Sequence, residues 1–442
     1  MRAGRSRPRR AGRGGRLGLA AGRKGRNAWP WVETGASRRA PAADNPAPVA
    51  HFPFFFASFA WNYGLGMTWL AIPLYAHSQG LSAAQIGLLF SVPVVAQMAI
   101  NLVGGAYTDR VGGRLVMLAA ALSMGFGGFE LVFAQGFWML FCGQLLMVLS
   151  RATFWPANWA LASELPGDRG TQVGRLNAIS NLAQILGNAS CGFVLAGYGF
   201  RAALACIAVL GFAAFLLGLA TPPRRARARP PGGMFANYSV LARMPIIYYT
   251  LLCAYLSALP MTLSMSFFPL LLKEFGYGEE ASGLLLALRA VGGIAVGLVL
   301  ARAISTGPQS RWPVYGGLAV ALSVGLMPVL SHWLALGVLM FAVGVGAGLQ
   351  SLYVQITLAE VTDVEMRGSA LALGGLGWSL SHLTTPLIAG LLAQYHGTVA
   401  GFYALGVIAL GFVALIAVLR RRAFAGTPLT LGGSPITMKK HG

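Results

Sequence analysis

The sequence predicts an all-α integral membrane protein of twelve transmembrane helices arranged as two pseudo-symmetric six-helix bundles. Three observations carry that prediction: the composition, the spacing of the apolar runs and an internal repeat. Of 442 residues, 56% are hydrophobic and 10% charged, with a mean hydropathy of +0.64, whereas a soluble domain carries roughly 25% charged residues. A soluble globule is excluded. The 59 glycines have no period of three, which excludes a collagen-like chain. They lie scattered inside apolar runs, as small residues do where membrane helices pack closely.

In chain order, residues 1–50 come first and hold 12 Lys and Arg against two acids, Glu33 and Asp44. A stretch so rich in Arg, Gly, Ala and Pro has too little apolar surface to fold alone, and it lacks the apolar core of a secretory signal. It reads as a disordered cytoplasmic tail touching anionic lipid, or as an overlong start. No aromatic platform interleaves Arg2 to Arg39, so nucleic acid is not an expected partner.

Apolar runs follow at 52–76, 83–107, 114–134, 137–162, 174–197, 202–221, 246–272, 281–302, 312–330, 332–358, 368–392 and 398–420. Each matches the length of about 20 residues that crosses a bilayer. The long polar break from Thr221 to Pro245, with the run Pro-Pro-Arg-Arg-Ala-Arg-Ala-Arg-Pro-Pro, cannot lie in hydrocarbon. It divides a first bundle (51–221) from a second (246–421), with 222–245 as a cytoplasmic linker and 422–442 as a cytoplasmic tail. Fifteen arginines fall at one set of span ends, from Arg110 and Arg114 to Arg420, Arg421 and Arg422; the opposite loops hold only Arg201 and Lys273. Because basic residues near span ends stay inside, both termini are expected in the cytoplasm.

The bundles repeat in sequence. Displaced by 196 positions, Pro73 meets Pro269, Gly80 meets Gly276, Gly87 meets Gly283, and seven further identities (Leu74, Leu88, Leu89, Val95, Ala99, Leu102 and Val103 against their counterparts) fall within 31 ungapped positions. At 198, Arg169 and Gly170 meet Arg367 and Gly368. Duplicated bundles are what alternating-access transporters are built from. Cys142, Cys191, Cys206 and Cys253 stand too far apart in sequence to form a short-spaced metal or redox pair, and no P-loop occurs. No cofactor, metal or ATP hydrolysis is expected, and the chain does not read as an enzyme.

Between the second and third runs stands Gly105-Ala-Tyr-Thr-Asp109-Arg110-Val-Gly112-Gly-Arg114. This resembles the G-x-x-x-D-R-x-G-[RK]-[RK] loop of the major facilitator superfamily, with Gly113 at one of its basic positions, and with the twelve runs the resemblance covers nearly all the chain after Phe52. It implies the twelve-helix fold of that family and a gating loop of Gly105, Asp109, Arg110, Gly112 and Arg114. Arg151 matches the arginine of the family's R-x-x-Q-G pattern, but Ala152 to Trp155 lack the glutamine and glycine. The G-P pair of proton-driven drug antiporters is absent from Leu186 to Gly192, which weakens an antiporter assignment without excluding export.

Asn177, Asn181, Gln184 and Asn188 recur every three or four residues, which puts them on one helix face. Trp378, His382 and Thr385 do the same, and Gln184 coincides with His382 at the 198 displacement. These are either the two walls of a central cavity or amide contacts between helices. Arg151 and Arg289 lie deep in their runs, where a cation needs a partner or a watery path; for Arg289 the alternative is a bond to backbone carbonyls. His382 is either a proton carrier or a packing histidine. Asn62, Tyr63, Thr68, Asn158, Tyr255, Ser257, Gln350, Tyr353 and Gln355 are further cavity candidates, with Trp61, Trp155 and Trp378 as aromatic surface. The expected function is secondary transport of a small organic solute, anionic or amphipathic, by rocking of the two bundles, with protons as a candidate coupling ion and a monomer in the cell membrane. The alternatives are export of neutral drugs or sugars and, more remotely, a non-transporting sensor or scaffold.

Overall fold

The computed structural model describes residues 52–101, 112–221, 236–300, 302–362, 367–424, 429–431 and 434–436. The N-terminal tail, linker residues 222–235 and the loop residues Gly105, Asp109 and Arg110 lie outside them. Among the described residues twelve principal helical segments can be followed: α1 (Phe52–Ser78), α2 (Ala83–Asn101), α3 (Gly113–Phe133), α4 (Gly136–Glu164), α5 (169–198), α6 (200–219), α7 (Pro245–Ser264, continued by Phe268–Glu274), α8 (Glu279–Ala295 with a π turn at Val296–Leu300), α9 (Trp312–Leu326, the shortest at 15 residues), α10 (Trp333–Val361), α11 (Arg367–His396) and α12 (Thr398–Ala423). A short helix, Ala236–Leu241, precedes α7, and a two-stranded antiparallel pair, Leu429–Leu431 with Ser434–Ile436, follows α12. Among the described residues eight stretches are long and apolar enough to cross a membrane by length and composition, one of them spanning both α5 and α6.

Local chemistry explains the ends. Ser82 caps α2 in a capping box, its hydroxyl accepting from Gln85 N at 3.3 Å while Ser82 N donates to Gln85 Oε1 at 2.9 Å. Asp168 caps α5 by accepting from Thr171 N at 2.8 Å; bonds from the Thr171 backbone and hydroxyl hold its carboxyl below the ordinary aspartate range. The fifth and sixth runs reverse at Gly199, whose φ of +78° a residue with a side chain rarely adopts. The seventh run, expected to be continuous, is interrupted at 265–267. Pro269 has no N–H for the carbonyl of Met265 and its ring crowds that carbonyl. Pro73, its repeat partner, leaves α1 unbroken.

We call the face at which α1 begins the near face and the opposite one the far face. On the far-face side the bundles meet backbone to backbone through glycines, and the contacts obey the repeat. A Cβ on Gly87 of α2 would stand 2.6 Å from Pro386 O and 3.2 Å from Gly390 Cα of α11; one on Gly283 of α8 would stand 2.6 Å from Asn188 O and 3.2 Å from Gly192 N of α5. The partners are repeat mates too. A Cβ on Gly390 would stand 2.6 Å from Ala83 O and one on Gly192 would collide with Glu279 O, and at displacements of 196 and 198 Ala83 maps to Glu279, Asn188 to Pro386 and Gly192 to Gly390. Toward the near face Gly174 of α5 and Gly375 of α11 would meet nothing within 4 Å, while Gly377 of α11 stays packed on Leu251 O of α7. The structure is therefore sealed at the far face.

Gly192→Ala and Gly390→Ala should each disfavour this seal by about 1–3 kcal/mol, the usual cost of overpacking. Pulsed EPR distances between spin labels at Gln79 and Gln394, in a background without the native cysteines, should lengthen in both variants. Unchanged distances would show that these contacts do not set the closure.

Candidate functional site

Below the seal the polar side chains divide into two kinds. The first kind bonds within one bundle. Asn62 of α1, fully buried, donates to Ser58 O at 2.8 Å and Ser180 Oγ at 3.1 Å and accepts from Gln184 Nε2 at 3.0 Å. Asn158 of α4 donates to Ser58 Oγ at 3.1 Å, and Tyr63 Oη donates to Ser190 Oγ at 2.7 Å. Trp61 donates to Ser150 Oγ at 2.9 Å and stacks on Phe154 at 3.8 Å between centroids. These side chains join α1, α4 and α5. Gln350 donates to Pro313 O at 2.6 Å, which turns it toward α9, and Tyr353 packs on Tyr249 at 6.4 Å. Neither is brought to the residues of the other bundle. Asn181 is exposed one turn nearer the near face than Gln184.

The second kind reaches across the bundles. Arg151 of α4 donates through Nη2 to Gln97 Oε1 of α2 at 3.2 Å and through Nη1 to Met265 Sδ, at the break in α7, at 3.7 Å. His382 of α11, buried, has Nδ1 2.9 Å from Trp378 O and stacks on the Trp378 ring, 5.5 Å between centroids and 22° apart. Arg289 of α8 is 7% exposed, and its guanidinium carbon lies 5.1 Å from the centroid of Trp69 of α1, a cation–π contact. The buried Nε atoms of both arginines have no protein acceptor, nor has the Trp69 indole N–H, nor either polar atom of the Asn188 amide. Among the described residues no carboxylate pairs with either arginine, and no three His, Cys, Asp or Glu side chains cluster to hold a metal.

The two cross-bundle partners are themselves repeat mates: Trp69 and Met265 are 196 positions apart and each stands four residues before the proline pair, Pro73 and Pro269. Each bundle thus offers the same position of its first helix to an arginine of the other. Sequence reasoning singled out both arginines and missed Trp69, Met265 and Gln97. The repeat held a signal for the first two, because it aligns them, but side-chain reach across a bundle interface is not written in a spacing.

Of the loop signature, Gly112 has φ +91° and Arg114 Nη2 donates to Leu219 O at 2.6 Å, tying the start of α3 to the end of α6.

The sequence profile of the Major Facilitator Superfamily matches residues 54–349 and 250–436. The Quinolone resistance protein NorA of Staphylococcus aureus is 24% identical over 170 residues, 38% of this chain and 44% of NorA, so the match spans less than half the length of that relative. The Multi-drug resistance efflux pump PmrA homolog of Lactococcus lactis is 21% identical over 361 residues, 76% of this chain and 89% of the homolog. In fold, the chain is similar to a bacterial homolog of the human lysosomal transporter Spinster, solved inward-facing and unoccupied, with a TM-score of 0.67, 15% identity, and coverage of 86% of this chain and 98% of that one.

The amide network and the exposed amide should separate in a stability measurement. Asn62→Ala removes two interhelical bonds, to Ser180 and from Gln184, and one within α1, and should lower the thermal unfolding midpoint, at about 0.6–1.7 kcal/mol per interhelical bond lost. Asn181→Ala should leave the midpoint unchanged. Equal effects would mean that Asn62 is not a packing residue.

Proposed function

Because the chain belongs to the major facilitator superfamily, and is therefore a membrane transporter with a twelve-helix fold, we propose that it carries a small anionic or amphipathic organic solute by alternating access, with Arg151 and Arg289 as the anion-binding pair. The observation that carries this reading is the pair itself: two arginines deep in their spans, one from each bundle, each reaching into the other bundle and neither matched by a carboxylate. An arginine at the centre of a membrane helix costs about 2.5–3.5 kcal/mol on insertion scales. A thioether and a neutral amide are weak compensation for Arg151. An anionic oxygen in the place of Met265 Sδ is a far better acceptor for a guanidinium, which grips carboxylate or phosphate with two parallel N–H bonds.

A solute held this way touches both bundles, so its affinity depends on how far apart they stand. That difference in affinity is what shifts the population between sealed and open states. The exposed amide Asn181 and the aromatic surface of Trp155 and Trp159, whose rings lie 5.6 Å apart, form the near-face approach. In this reading Asn62 and Gln184 hold the wall in shape, while Gln350 and Tyr353 support the second bundle. His382, bonded to Trp378 O, is the candidate proton carrier. In this reading the near face and both termini face the cytoplasm, which the basic span ends support, and the chain acts as a monomer.

A second reading, export of uncharged amphipathic drugs, is favoured by the aromatic surface around Trp61, Trp155 and Trp159 and by the printed descriptions of NorA and the PmrA homolog as resistance and efflux proteins.

Flux into proteoliposomes of small carboxylates and phosphoesters, against neutral sugars and drugs, separates the two. Arg289→Lys should weaken anion affinity while sparing stability, and Arg289→Gln should abolish anion flux in a correctly inserted protein. Full activity in the glutamine form, or loss of folding in both variants, would move the drug exporter to first place.

A further inference from the structure

An open cavity lies away from the two arginines, at the far face of the first bundle. It offers about 480 Å³, open to the surface, between the ends of α1 and α3, Gln135 in the turn after α3, and the α5/α6 reversal. Tyr75 has given its hydroxyl to Ala134 O at 2.8 Å, so it presents its ring, which packs beside Phe200 at 5.5 Å between centroids. Phe133 and Tyr198, also in the lining, are 61% and 80% exposed. Exposed rings at the ends of spans belong to the depth of the lipid headgroups. Arg201 opens onto the same space, and no carboxylate lines it.

The repeat shows that the fold does not require this charge. Gly199 and Gly397 correspond at 198 positions and turn alike, with φ of +78° and +82°. In the second bundle the residue after that glycine, Thr398, donates to Glu274 Oε1 at 2.5 Å. At the same displacements Arg201 maps to Val399 and Ser78 to Glu274. At the equivalent positions the first bundle has Arg201 and Ser78 and the second has Val399 and Glu274, with Lys273 beside the acid; the first space is lined by rings where the second holds a hydroxyl–carboxylate bond.

We propose that this cavity is a binding site for the headgroup of an anionic phospholipid in the leaflet at the far face, with Arg201 gripping the phosphate and the rings of Tyr75, Phe133 and Phe200 against the glycerol and upper acyl chain. Arginine suits the phosphate because its planar fork makes two charge-assisted bonds at once. The span ends put that contact at headgroup depth, which selects a lipid over a free phosphoester. This site is independent of the solute reading and stands or falls separately.

The test uses the full chain in nanodiscs of phosphatidylcholine with or without phosphatidylglycerol, read by thermal unfolding. Phosphatidylglycerol should raise the midpoint of the wild type and of Lys273→Gln, should raise that of Arg201→Lys by less, and should not raise that of Arg201→Gln. Native mass spectrometry of the wild type, which needs no variant, should show one phosphatidylglycerol retained through delipidation. An equal rise in wild type and Arg201→Gln, retention of no lipid, or the same rise from soluble glycerol phosphate in pure phosphatidylcholine discs would overturn the proposal.

Discussion

The structure depends on the approach of α2 to α11 and of α5 to α8, where peptide backbones come so close that a methyl group on any of four glycines would stand 2.4–2.6 Å from a carbonyl oxygen. Between membrane helices there is no hydrophobic gain from contact alone, so close packing of backbone supplies the association. Both contacts use the same register, Gly87 with Gly390 and Gly283 with Gly192, so the seal inherits the symmetry of the repeat. It brings the first helix of each bundle within reach of the other, which is the condition for Arg289 to lie on Trp69 and for Arg151 to touch Met265.

That condition links closure to charge. A buried guanidinium is tolerated only with a partner, and here each arginine has one on the opposite bundle, Arg151 keeping Gln97 on its own: separating the bundles costs Arg151 its Met265 contact and Arg289 its Trp69 contact, and under the proposed function an anionic solute would bridge the same two arginines. The symmetry is of position and not of residue. Trp69 and Met265 are equivalent, whereas Arg151 stands on α4 and Arg289 on α8, so the site is built asymmetrically on a symmetric frame. The proline four residues beyond each partner frees a backbone carbonyl at Trp69 and at Met265, yet only α7 breaks there.

Much of this was legible beforehand, and the reasons differ by level. The twelve spans follow from apolar length, and the family resemblance from the loop Gly105 to Arg114. The pairing of Gly87 with Gly283 was visible as an identity, but only the packing shows that it is a seal. Polarity alone did not separate a cavity wall from an interhelical bond: Asn62 and Gln184 bond to each other, Gln350 turns to Pro313, and Asn181 stays exposed. Nor does any spacing announce that Trp69 will lie under an arginine two hundred residues away. Contacts between bundles are set by rigid-body packing, which local patterns do not encode.

The central claim is that one anionic solute is held jointly by Arg151 and Arg289. The most direct measurement is a double-mutant cycle on solute affinity with Arg151→Lys and Arg289→Lys, read by calorimetry on the purified protein with the anion that gives the largest thermal shift. Joint binding predicts that each substitution weakens affinity and that the two together are non-additive, with a coupling of about 0.5–3 kcal/mol. Additive effects, or affinity that ignores one of the two arginines, would contradict it.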